Sequence, residues 1–111
     1  MLAVGEKVFN YRAGPFDFSC ASCHGAENLR IRLQDLPKLT EQKGAGAGFG
    51  AWPAYRVSSG ELWSMQRRLS DCFRQQRFPL PEFASDVTVA LGVYMGVTGK
   101  GAQSVAPALK R

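Results

Sequence analysis

The sequence has few residues of the kinds that bind metals or form disulfides. Its 111 residues include one histidine and three cysteines. No apolar run approaches the roughly 20 residues that a membrane-spanning helix needs. The opening MLAVGEKVFNYR also lacks the basic start and long apolar stretch of a signal peptide. We therefore expect no membrane span, and a chain from which any signal peptide is absent.

Acidic residues are scarce relative to basic ones. The chain has 9 Asp and Glu against 14 Lys and Arg, which gives a formal net charge of +5. A surplus of positive charge raises the local concentration of anions. The basic residues are spread along the chain and no nucleic-acid-binding motif accompanies them. We therefore expect an anionic substrate or surface as a partner, and no nucleic acid.

Length and periodicity predict one small helical domain over residues 1–111. Apolar residues recur at helical spacing in three segments, and CASCH opens a further short turn. The glycine-rich stretch at 43–53 is predicted to be a loop, and no segment favours a strand. The predicted helices cover 3–11, 20–24, about 61–76 after a cap at Ser58 or Ser59, and a last helix from Ser85 or Asp86 to Gly99.

The segment CASCH places two of the three cysteines and the only histidine within five residues. This is the attachment pattern of c-type haem, in which Cys20 and Cys23 form thioethers and His24 is the proximal iron ligand. A redox dithiol needs a strand and helix context that is missing, and a zinc site needs more ligands than Cys72 adds. We therefore predict an all-α cytochrome c fold with one covalent haem c and its iron. Because such haem is attached after export, we expect a periplasmic location.

The second iron ligand decides between an electron carrier, a gas binder and a catalyst. Cys72 lies on the buried stripe of its predicted helix with Arg68 one turn earlier, but a free cysteine is often only a small buried hydrophobe. An open distal face would suit a gas-binding protein. From the residues alone the candidates are Cys72, no ligand, or one of the methionines Met1, Met65 and Met95.

Several segments, in this order, resemble the A subunit of the SoxAX cytochromes from the thiosulfate-oxidising Sox system. These are CASCH, WPAYR at 52–56, GELWSMQRRLSDC at 60–72, QQRF, and the closing SDVTVALGVYM. The pair Arg67-Arg68, separated from Cys72 by three residues, is the most specific part after the haem motif. The resemblance implies that Cys72 ligates the iron, carried as a persulfide in that family, and that Arg68 flanks it in the active site.

The resemblance also implies an activity and partners. It implies an L-cysteine S-thiosulfotransferase that couples thiosulfate oxidatively to a cysteine of the carrier protein SoxYZ, in a heterodimer with the haem subunit SoxX. Family members usually carry two cytochrome domains in the A subunit, and this chain resembles only the C-terminal one. The segment FPLPEF departs from the family's pattern, so no residue there is assigned a role. The alternative is a small periplasmic electron-transfer cytochrome c with His/Met ligation.

Overall fold

A computed structural model of the protein describes residues 1–31, 34–82 and 84–110. The helices are α1 (Leu2–Asn10), α2 (Cys20–His24), α3 (Gln42–Phe49), α4 (Met65–Gln75) and α5 (Asp86–Thr98). The strands are β1 (Arg30–Ile31), β2 (Gln34–Asp35), β3 (Ala54–Arg56), β4 (Glu61–Trp63) and β5 (Ala108–Lys110). Within those three described stretches, no helix is long and apolar enough to cross a membrane.

The expectation of an all-α fold without strands is wrong. Strands β1 and β2 form a small antiparallel pair, and β3 is the central strand of a three-stranded sheet. Strand β4 pairs with β3 antiparallel, and β5 pairs with it in parallel. Each strand has only two or three residues, too few for the alternation of apolar and polar side chains that identifies a strand in a sequence.

The beginning of α4 differs from its prediction for the same reason. Residues 61–63 belong to β4, and Ser64 rather than Ser58 or Ser59 caps the helix. The Ser64 hydroxyl accepts a hydrogen bond from the backbone N–H of Arg67 at 3.2 Å, which satisfies one of the unpaired donors of the first turn. Helix α4 therefore begins at Met65, and its predicted first turn is extended.

The glycine-rich stretch is a helix, α3, and not the predicted loop. Its glycines are required by close packing. A Cβ atom at Gly44 would overlap the carbonyl oxygen of Lys38, and one at Gly46 would overlap the Cβ atom of Ala102. Glycine costs about 1 kcal/mol relative to alanine inside a helix, so tertiary packing overrides a weak local propensity here.

Helices α1 and α5 cross in close contact. A Cβ atom at Gly5 would overlap the carbonyl oxygen of Ala90, and the rings of Phe9 and Tyr94 lie 5.2 Å apart. Helix α5 follows Ser85 and ends before Gly99, as the sequence predicts. The crossing places the first and last helices of the chain on one side of the core.

The buried face of α5 was predicted incorrectly. Helical spacing predicts a core that contains Val8, Phe9, Val89, Val93 and Tyr94. In the structure Phe9 is fully buried, Val89 is exposed, and the other three are half-buried. The hydrophobic core cluster instead consists of Phe9, Leu39, Leu91 and Met95. Because α5 is apolar on every face, spacing alone cannot identify the side that packs inward.

Candidate functional site

One cavity of about 370 Å³ lies between α1, α2, α4 and α5. It brings together two segments about fifty residues apart, the CASCH turn and the middle of α4. Apolar side chains such as Phe9 and Leu91 form part of its wall. The residues of the haem motif and of the predicted arginine-cysteine pair line it: Cys20, Cys23, His24, Arg68 and Cys72.

The CASCH turn is held by reciprocal hydrogen bonds at its start. The backbone N–H of Ser22 donates to the Ser19 hydroxyl at 3.3 Å, and the backbone N–H of Ser19 donates to the Ser22 hydroxyl at 2.9 Å. This capping box stabilises a helix of only five residues, which would be marginal alone. It therefore fixes Cys20, Cys23 and His24 on a single turn facing the cavity.

The imidazole of His24 is oriented for ligation. Its Nδ1 atom lies 2.8 Å from the carbonyl oxygen of Pro37. Because a carbonyl oxygen only accepts, Nδ1 carries the proton of the neutral ring and the lone pair is on Nε2. Burial lowers the pKa of His24, the charge of Arg68 lowers it further, and the Pro37 hydrogen bond opposes them. The ring is thus neutral, as metal ligation requires.

Burial keeps the Cys20 thiol in its protonated form. Burial raises the pKa of Cys20 to about 12, with a further increase from Cys72. Among the described residues, none of the three cysteines forms a disulfide. A redox-active dithiol depends on a lowered thiol pKa, and Cys20 has the opposite property.

Burial also raises the pKa of Cys72. Arg68 opposes that increase, Asp71 adds to it, and Arg56 opposes it again. Arg68 therefore has the expected effect in favour of the thiolate, but desolvation outweighs it. A thiolate at this position needs a further source of positive charge in the cavity.

No protein-family model matches the chain. The SoxA subunit of L-cysteine S-thiosulfotransferase from Hydrogenophilus thermoluteolus is 57% identical over 111 residues, which cover all of this chain and 41% of that protein. A SoxA subunit from Hydrogenobacter thermophilus is 39% identical over 112 residues, covering all of this chain and 42% of that protein. The chain is a homologue of part of SoxA. It spans about two fifths of the length of these curated SoxA relatives.

A solved structure agrees with the fold. The crystal structure of SoxXA from P. pantotrophus matches 99% of this chain and 39% of its own chain with a TM-score of 0.82 and 23% identity. The helices and the small sheet described above therefore belong to the fold of SoxXA. The predicted homology to SoxA is confirmed, whereas the all-α description of the fold is wrong.

Neither the sequence motifs nor the resemblance to SoxA predicted a role for Asp71 at the site. Asp71 is buried next to Cys72, and its Oδ2 atom accepts from Arg68 Nη1 at 3.2 Å and from Arg56 Nη1 at 2.7 Å. Its position three residues after Arg68 and three before Arg74 is a signal that the sequence does contain. Arg67, by contrast, is exposed and pairs with Glu61 at 3.3 Å.

Two methionines share the cavity with Cys72. Met65 is the first residue of α4, whereas a helix over 61–76 predicts it inside the helix, and Met95 belongs to the buried core. Both line the cavity. Met1 is exposed at the beginning of α1. The geometry thus presents one cysteine and two methionines to the same space as His24.

Proposed function

We propose that the cavity holds one haem c attached through Cys20 and Cys23, with His24 as the proximal ligand and Cys72 as the second iron ligand. Four observations support the fit: the two thiols share one turn, the Nε2 lone pair of His24 is free, Cys72 lines the same cavity, and apolar side chains form part of the wall. When bound, the haem supplies one-electron redox chemistry and an iron centre that stabilises a thiolate.

We infer that the chain is the haem domain of a SoxAX-type L-cysteine S-thiosulfotransferase. The observation that carries this proposal is the shared cavity of the CASCH turn with Arg68 and Cys72, in a chain homologous to SoxA. The proposed reaction joins the outer sulfur of thiosulfate to a cysteine sulfur of a SoxYZ-type carrier. It releases the thiol proton and two electrons. A SoxX-type haem subunit accepts the electrons one at a time.

The residues of this chain have separate parts in that reaction. The Arg68 guanidinium is a planar fork of N–H donors suited to an oxyanion, and it binds the sulfonate group of thiosulfate. Cys72 places its sulfur in the cavity beside that guanidinium. The apolar wall excludes water and strengthens the attraction between Arg68 and the anion.

The remaining expectations follow the same proposal. Residues 1–111 form one cytochrome domain that corresponds to the C-terminal domain of SoxA, paired with a SoxX-type subunit in the periplasm. The SoxXA crystal structure is of a protein that contains both subunits. The excess of basic residues suits an anionic substrate.

Turnover of thiosulfate tests the activity. The haem-loaded chain, combined with a SoxX-type subunit and a SoxYZ-type carrier, is expected to add thiosulfate to the carrier cysteine. Cys72→Ala should abolish the reaction, and Met65→Leu is the control that changes another cavity side chain. Full activity of Cys72→Ala would remove Cys72 from the mechanism.

A second function is favoured by one specific observation. Met65 and Met95 line the cavity, and a His/Met pair is typical of electron-transfer cytochromes. In that case Cys72 is only a buried side chain and the protein carries electrons without catalysis. Loss of the parent ferric spectrum in Met65→Leu or Met95→Leu, but not in Cys72→Ala, would identify this function.

A further inference from the structure

A buried carboxylate in α4 gathers several side chains of opposite charge. Asp71 is 8% exposed. Its Oδ2 atom accepts from Arg56 at 2.7 Å, from Arg68 at 3.2 Å and from Gln75 at 2.6 Å. Its Oδ1 atom accepts from Nη2 of Arg74 at 2.7 Å. Both carboxylate oxygens are thus occupied, and the group has a single orientation.

The carboxylate is anchored on its far side by the sheet. The side chain of Arg56 is only 13% exposed, and its guanidinium lies 4.5 Å from the centre of the Trp63 ring. Trp63 is buried in β4, directly beside β3, which carries Arg56. A continuous set of contacts therefore runs from Trp63 through Arg56 and Asp71 to Arg68 at the cavity.

The contacts of Asp71 are those of a carboxylate anion. Its two oxygen atoms accept hydrogen bonds from the guanidinium groups of Arg56, Arg68 and Arg74. Hydrogen bonds between a guanidinium and a carboxylate are stronger than those between neutral groups. Asp71 therefore holds Arg68 more firmly than a neutral side chain of the same shape could.

An arginine without such a partner adopts many rotamers, and binding an anion then costs the entropy of ordering it. Arg68 is half-buried and its Nη1 atom is already held by Asp71. Arg68 also lines the cavity, and a guanidinium has further N–H donors besides the one that Asp71 accepts from. The carboxylate thus reduces the freedom of Arg68 before an anion arrives.

We propose that Asp71 is a positioning residue that holds the Arg68 guanidinium beside Cys72 for binding of thiosulfate in the cavity. The inference rests on the proposed function and assigns a part of the site to a residue outside the haem motif and the arginine-cysteine pair. Asp71 acts through Arg68 and does not touch the substrate. Removing its charge weakens thiosulfate binding, although the local positive potential rises.

Thiosulfate binding to the haem-loaded chain provides the test. Sodium thiosulfate is titrated calorimetrically into the parent protein and into Asp71→Asn, which keeps the shape of the side chain. We expect binding about tenfold weaker in Asp71→Asn, a size typical of a lost charge-assisted contact. The matched control is Asp17→Asn, since Asp17 also pairs with an arginine, Arg12 at 2.9 Å, but is 72% exposed. The control should bind like the parent.

A double-mutant cycle separates positioning from general stability. In an Arg68→Gln background, Asp71→Asn should change thiosulfate affinity by less than about twofold, because the two residues act as one unit. Independent, additive losses in the cycle would overturn the inference. So would equal or tighter binding in Asp71→Asn alone.

Two further outcomes are distinguishable. If the parent protein does not bind thiosulfate, the proposed function fails together with this inference. If the parent binds and Asp71→Asn binds equally well, only the role of Asp71 fails.

Should Asp71→Asn not fold, Arg56→Gln is the variant to measure. It keeps the carboxylate of Asp71 but removes one of its partners, and thiosulfate binding about threefold weaker than in the parent is expected. Unchanged binding in that variant overturns the proposal.

Discussion

Arg68 and Cys72 lie one helical turn apart on α4 and line the same cavity. The charge of Arg68 lowers the pKa of Cys72, while burial raises it and has the larger effect. Both effects have the same cause. A cavity that excludes water disfavours the thiolate and also strengthens its electrostatic attraction to the arginine.

Covalent haem attachment should depend on the first two cysteines only. We expect one haem per chain by mass spectrometry, retained when the denatured protein is extracted with acidified organic solvent. Cys20→Ser or Cys23→Ser should weaken or remove that attachment, because each loses one thioether. Cys72→Ser is the control and should keep its covalent haem. Complete release of haem from the denatured parent protein would contradict the prediction.

Ligation by Cys72 should lower the reduction potential. A thiolate places negative charge on the iron and stabilises the ferric state, so Cys72→Ala should raise the potential by on the order of 100 mV, within the roughly 0.8 V that axial ligands span. Potentiometric titration and electron paramagnetic resonance measure the change. Met65→Leu and Met95→Leu should leave the ferric signal unchanged. An unaltered spectrum in Cys72→Ala would favour the electron carrier.

The fork of donors on Arg68 should matter more than its charge. Arg68→Lys keeps the charge but loses the planar pair of donors, so turnover with thiosulfate and the carrier should fall by about tenfold or more. The haem spectrum should stay near that of the parent. Arg67→Lys serves as the control, because Arg67 is exposed and pairs with Glu61. Equal turnover in both variants would show that Arg68 has no part in catalysis.

Acid stability should depend on Asp71. Its pKa is lower in the folded protein than its ordinary value, so its contribution to the free energy of unfolding is complete above the unfolded pKa of about 3.9. That contribution is lost as the pH falls through the folded pKa. The free energy of unfolding, measured between pH 2 and 6, should fall less with decreasing pH in Asp71→Asn than in the parent. In the control Asp17→Asn it should fall as much as in the parent. Parallel curves for all three proteins would argue against a stabilising carboxylate.

Close packing of α1 on α5 should make Gly5 intolerant of a methyl group. A Cβ atom there would overlap the carbonyl oxygen of Ala90, so Gly5→Ala should lower the free energy of unfolding by about 1–3 kcal/mol. Gly92→Ala is the matched control within α5, since its nearest neighbour would be Nε2 of Gln66 at 3.9 Å. Improved helix propensity should leave that control unchanged or slightly more stable. Chemical denaturation compares the two, and equal stability would contradict the close contact.

The sequence was sufficient for features that depend on local chemistry. The CASCH turn, the end of α5 at Gly99, and the position of Arg68 one turn from Cys72 all follow from spacing or from a single cap or breaker residue. These signals act within a few residues, where helix geometry fixes which side chains meet. The sequence therefore predicted correctly that the CASCH residues lie on one helical turn and that Arg68 and Cys72 lie on one helix.

Features that depend on tertiary contact were missed. Strand β5 forms by pairing with β3, which lies more than fifty residues earlier, and α3 depends on the fit of Gly46 against Ala102. The inward face of α5 is chosen by α1, not by its own pattern. The contact of Asp71 with Arg56 of β3 cannot be predicted from the sequence of the helix that carries Asp71. Each case requires knowledge of a partner that is distant in the chain.

The packing of α1 on α5 also bears on the order of events during synthesis. Helix α1 is made well before its partner α5, because more than seventy residues lie between them. Contacts between distant segments form late, because the intervening loop must close first. Until then the turn at Cys20–His24 is not yet covered by α4 and α5. The fold thus completes the wall around Cys20 and Cys23 only after α5 has been made.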